Sequence, residues 1–80
     1  MQKNTSEITV KTNPRTGGKY TVFKKGENFF YADCSYVPCS GMETMIFPCD
    51  KEGNVTSWID VYYDCSGKSL KDCVKEFLAE

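Results

Sequence analysis

Only one stretch of this 80-residue chain carries a helical repeat, and it falls in the last twelve residues. Leu70, Cys73, Val74, Phe77 and Leu78 recur at i, i+3, i+4, i+7 and i+8, which gathers them on one apolar stripe. Lys71, Lys75 and Glu76 fall off that stripe, and Ser69 with Asp72 has the form of a capping box. The spacing predicts a helix over residues 69–80. An isolated helix of that length is marginal in water, so it must dock on something the rest of the chain builds.

The preceding segments read as strands. Residues 7–12 alternate polar and apolar, and residues 19–24 (Lys-Tyr-Thr-Val-Phe-Lys) are rich in β-branched and aromatic types. The Asn13-Pro14 step and the Gly17-Gly18 pair make the connection a loop, so these two runs should pair as an antiparallel hairpin. Residues 25–28 form a tight turn and residues 29–32 a third strand, with an irregular loop over 33–41. Residues 44–49 form a fourth strand, which Pro48 should end or place at an edge, because proline donates nothing to a ladder. Residues 50–54 are a turn with Gly53 in the left-handed position. Residues 55–63 read as the longest strand. Val55, Ser57, Ile59, Val61 and Tyr63 take its core face, and Thr56, Trp58, Asp60 and Tyr62 the other. Residues 1–6 are polar and read as a frayed end. The expectation is a single α+β domain: an antiparallel sheet of four to five strands with one C-terminal amphipathic helix packed on a face.

Five cysteines and no histidine narrow the chemistry. Without histidine there is no Ser–His or Cys–His pair, and the remaining carboxylates show no partnership that would activate a nucleophile, so no catalytic residue is assigned. No cofactor is implied. Structural zinc favours close pairs such as Cys-x2-Cys, and none occurs; a site built from Cys34, Cys39, Cys49 and Cys65 is the metal alternative. No apolar run follows the first residues and none approaches a membrane span, so the expectation is a cytoplasmic protein with reduced thiols and no membrane contact.

Charge and aromatic content point to binding. Six basic residues against two acids in residues 1–32 give a net of +4, and four against nine in residues 33–80 give −5. Five Tyr, five Phe and Trp58 are more than one helix can cover. Trp58, Tyr62 and Tyr36 are candidate anchors for a protein partner, with Asp60 and Glu43 in an acidic rim. Self-association through the same patch, as a homodimer, is one version of this. The alternative is single-stranded nucleic acid, held by Lys11, Arg15, Lys19, Lys24 and Lys25 interleaved with Tyr20, Phe23, Phe29 and Phe30. The negative overall charge weighs against it.

One segment has a familiar pattern. Glu43-Thr44-Met45-Ile46-Phe47, followed by Cys49-Asp50-x-x-Gly53-x-Val55-x-x-Trp58, resembles a hairpin in small uncharacterised proteins of bacteriophages and prophages, over residues 41–63. The resemblance implies a structural role for Met45, Phe47, Gly53 and Trp58 and brings no catalytic residues. It also implies an accessory protein made in an infected bacterium. Such a protein would bind a host protein or complex stoichiometrically and inhibit or redirect it, a defence system being one such target.

Overall fold

The computed structural model describes residues 8–39 and 41–80. The expected frayed end and Glu7 of the first strand lie outside them. The fold is α+β, as expected. Five antiparallel strands follow one another across a single sheet in chain order: β1 (Lys11–Thr12), β2 (Lys19–Lys25), β3 (Asn28–Val37), β4 (Gly41–Cys49) and β5 (Tyr62–Asp64). Helix α1 (Leu70–Ala79) closes the order and covers one face.

Strand alternation divides the residues between the two faces. Thr21, Phe23, Phe30, Ala32, Cys34, Thr44 and Ile46 share the helix side, set by the Thr21–Ala32, Phe23–Phe30 and Ala32–Ile46 pairings. There Ala32, Cys34 and Ile46 meet Leu70, Val74 and Phe77 of the helix stripe in one buried cluster. Phe77 sits at its aromatic centre, edge-on to Phe30 at 4.9 Å, to Phe23 at 5.9 Å and to Tyr62 at 6.1 Å between ring centroids.

Both helix ends are tied. The Ser69 hydroxyl accepts from the Asp72 backbone N–H at 3.2 Å, and Asp72 adds negative charge to the first turn. At the other end the Lys25 ammonium donates to the Phe77 carbonyl at 2.7 Å and lies 4.3 Å from the Phe77 ring centroid. A cation there adds a second donor to a carbonyl that also accepts from the Glu80 N–H at 3.3 Å, and it complements the helix dipole.

Beyond the first strand, expected over residues 7–12 and regular only at Lys11–Thr12 among the described residues, three expectations are corrected. The third strand does not stop at Ala32; β3 runs on to Val37 and pairs with β4 as far as Gly41, so the expected 33–41 loop shrinks to the connection after Val37. Ala32-Asp33-Cys34-Ser35 alternates buried with half-buried side chains, a strand pattern in small and polar residues. Pro48 lies within an interior strand. Its carbonyl accepts from the Thr56 N–H at 3.0 Å, so its backbone nitrogen faces the same way and β3 needs no donor from it.

The third correction is the 55–63 strand. Only Tyr62–Asp64 is regular, with Val55 bridged alone to Cys49. The bond that Pro48 would return to Thr56 cannot form, and the ladder stops there. From Cys49 to Met45 β4 advances four residues, while the facing chain advances eight, from Val55 to Tyr63. Four surplus residues therefore leave the sheet between the Thr56–Pro48 bond and the 2.8 Å bond from the Val61 N–H to the Ile46 carbonyl.

Candidate functional site

The face away from the helix carries Tyr20 and Val22 from β2, Phe29, Tyr31 and Asp33 from β3, Glu43, Met45, Phe47 and Cys49 from β4, and Tyr63 from β5. Tyr20 and Tyr31 stack at 5.5 Å. The turn after β4 folds over part of this face. Asp50 Oδ1 accepts from the backbone N–H groups of Glu52 and Asn54 at 2.9 and 2.8 Å, which holds the Asp50 carboxyl below its ordinary pKa. Gly53, at φ 89°, then lies against Val22, where a Cβ would come within 3.2 Å of a methyl group.

The surplus residues complete the site. Trp58 turns back over the open face, edge-on to buried Phe47 at 5.1 Å, yet stays 72% exposed. Ile59 is 78% exposed, Val61 48% and Tyr63 50%. Four large apolar side chains within six residues thus face solvent beside the edge strand β5, the only strand of the sheet preceded by an irregular segment of this kind among the described residues. Asp60 is exposed among them. The Glu43 carboxylate stands against the Tyr63 hydroxyl; with partial burial and Cys65 nearby, it pushes that phenol up to about 12. From Glu52 to Gly67 the chain has three acids and no Lys or Arg.

The expected protein-binding residues are thereby split. Trp58 and Asp60 fall in the surplus segment, Trp58 against Phe47, whereas Glu43 lies four residues from Phe47 along β4, beside Tyr63. Tyr62 turns to the helix side, packs on Phe77 and donates its hydroxyl to Glu76 at 2.9 Å. The Glu76 carboxylate also pairs with Lys68. Tyr36 is 69% exposed but lies at the far end of β3, opposite Met42 and on the helix side. Ile59, Val61 and Tyr63, assigned from the sequence to a core face, are instead the exposed members of the site. Pro48 opposite Thr56 was the signal for this: on that side proline returns no N–H bond, and the ladder weakens where the surplus begins.

The basic residues are divided as well. Lys11 pairs with Tyr20 and Lys24 lies 5.7 Å from the Phe29 ring, both on the open face. Lys19 is on the other side, donating to the Thr12 hydroxyl at 2.8 Å, and Lys25 is engaged at the helix end. Arg15 is exposed in the β1–β2 turn. Phe23 and Phe30 are packed beneath the helix and offer no stacking platform; Tyr20, Tyr31 and Phe29 are the aromatics left for one.

The four cysteines of the metal alternative do not converge. Cys34 is a buried strand residue under the helix, not a loop residue, and Cys49 is buried on the opposite face, with the sheet between them. Cys39 and Cys65 are exposed, and all five thiols are free. Among the described residues no three Cys, Asp or Glu side chains are placed to hold a metal ion, and no helix is long and apolar enough to cross a membrane. Compared with known proteins, the chain matches no family model, no curated protein and no solved structure.

Proposed function

We propose that this protein is a non-enzymatic domain that binds a partner protein stoichiometrically through the edge formed by residues 58–63. The observation that carries this reading is the exposure of Trp58, Ile59, Val61 and Tyr63 together, held out by the surplus in β-sheet register. Large apolar groups kept in water cost stability, and a contiguous set of them marks an interaction surface. Trp58 has the form of an anchor: a broad ring, oriented by Phe47 and open on its remaining sides. Asp60 and Glu43 supply a polar rim that steers a basic partner. The resemblance to phage hairpins favours a host protein or complex as the target and cytoplasmic action, with inhibition of a defence component as the concrete version.

Affinity capture from host extract tests this. Because Trp58 is mostly exposed, Trp58→Ala is expected to cost no more than about 1 kcal/mol in urea unfolding. It should nevertheless lower recovery of a captured partner at least about tenfold. Undiminished recovery with a folded variant sinks the reading.

A second reading rests on the Tyr20–Tyr31 stack with Lys11 and Lys24 on the same face. It supports single-stranded nucleic acid stacking on the sheet, although Asp33 stands between Tyr20 and Met45. Oligonucleotide binding that weakens steeply with salt and is lost in Lys24→Glu would support it. Lys25→Glu is uninformative, because Lys25 holds the helix.

A further inference from the structure

The bonds to the Ile46 and Pro48 carbonyls show that even-numbered residues of β4 turn their backbone groups toward β5. In an antiparallel ladder the next pair is then non-bonded. Tyr63, opposite Met45, therefore turns its own N–H and C=O outward, on the free edge of the sheet. Among the described residues no backbone or side-chain partner meets them. An unpaired edge of this kind is a template for another strand.

The two sides of that edge differ. On the open side stand Tyr63 and, from the surplus residues, Trp58 over Phe47. On the helix side stand Tyr62 and Asp64, with the Glu76 carboxylate reached by the Tyr62 hydroxyl. The Asp64 carboxylate accepts from Ser66 and faces the Cys73 thiol at 4.0 Å; Lys68 lies within electrostatic reach but is bonded to Glu76, so Asp64 has no ion-pair partner among the described residues. Strand side chains alternate between sides, so a strand laid here meets the Tyr63 ring, with Glu43 at its hydroxyl, at one residue and the unpaired Asp64 carboxylate at the next.

The geometry points to an extended partner segment of alternating basic and apolar residues that adds to β5 as a sixth strand. Its apolar side chains lie over Tyr63 toward Trp58, and its Lys or Arg side chains lie beside Asp64. This rests on the reading of the 58–63 edge as the binding surface, and it specifies the partner's chemistry. A second copy of the chain fits less well. It would bring together two edges that each carry Asp60 and Asp64 and no base between Glu52 and Gly67.

The test uses the full chain, 15N-labelled, with three seven-residue probes: Lys-Val-Lys-Val-Lys-Val-Lys, the same peptide with glutamate for lysine, and the lysine peptide N-methylated at alternate residues. The expected result is slowed hydrogen exchange at the Tyr63 amide and shifted Trp58 indole resonances with the lysine peptide. Affinity should fall at least about tenfold with the glutamate peptide and as much with the N-methylated one. It should also fall severalfold between about 0.05 and 0.5 M salt and in Asp64→Asn. Equal binding of lysine and glutamate peptides, or an unprotected Tyr63 amide at saturating lysine peptide, overturns the inference. So does a Tyr63 amide already protected in a concentration-dependent dimer, which would make the second copy the occupant. The two ideas fail separately. Capture lost in Trp58→Ala with Tyr63 unprotected leaves the binding edge standing without strand addition. Peptide protection of Tyr63 with capture unaffected by Trp58→Ala does the reverse.

Discussion

Asp33 occupies a position where a carboxylate is disfavoured. It lies in the middle of the open face, between Tyr20 on β2 and Met45 on β4, with the Ser35 hydroxyl at 3.3 Å. Burial raises its pKa, and the Ser35 hydrogen bond only partly opposes this. The sign follows directly. The folded state holds the proton more tightly than the unfolded chain, so stability is lost as pH rises through the folded pKa, and the full penalty is present at neutral pH. Asp33→Asn keeps an acceptor for Ser35 and removes the charge. Its urea midpoint should exceed that of the wild type at pH 7, with the gap closing as pH falls toward about 4, where the unfolded Asp also titrates. Coincident midpoints at pH 7 would show that burial imposes no penalty here. In the sequence Asp33 fell at the start of the expected 33–41 loop. Its neighbours Cys34 and Ser35 are small, and the β-pattern they form has too little apolar contrast to announce itself. Cys73 was legible for the opposite reason, because a helical stripe fixes its surroundings from local spacing alone.

Among the elements, the helix and β2 were recovered almost residue for residue, since periodicity and capping act within a few neighbours. The Ser69 cap gives a direct check. Ser69→Ala removes the acceptor for the Asp72 N–H and should cost about 1 kcal/mol in chemical denaturation, while Ser69→Asp retains it. Equal losses in both would show that the cap is not what Ser69 provides. The 55–63 segment failed because strand register is not local. Its alternation suits a strand, but pairing depends on what β4 offers opposite, and there Pro48 withholds a donor. The same failure hid most of the exposed edge. Trp58 was identified by residue type, whereas Ile59, Val61 and Tyr63 were hidden by the assumption that their alternation faced a core.

At the scale of the whole molecule, the sheet separates two environments with different tasks. One side is closed by the helix and holds the core; among the described residues the other is roofed only in part, by the 50–54 turn and Trp58. The thiols report this division. Cys39 and Cys65 are exposed and should react with a thiol reagent at once, whereas Cys34, Cys49 and Cys73 are buried and should react only as the chain unfolds. A native count of two rising to five in denaturant is the expected outcome; more than two fast thiols would place a buried cysteine outside its layer. Burial pushes the Cys49 and Cys73 thiols up from their ordinary pKa, which slows them further. The surplus in register has a wider consequence. Four is an even number, so the residues after the detour re-enter the sheet with the same inside and outside as those before it. Residues 57–60 can then be excised, lengthened or exchanged without turning a single core side chain outward. The fold carries this exposed segment as a replaceable cassette, whose sequence can change without renegotiating the core.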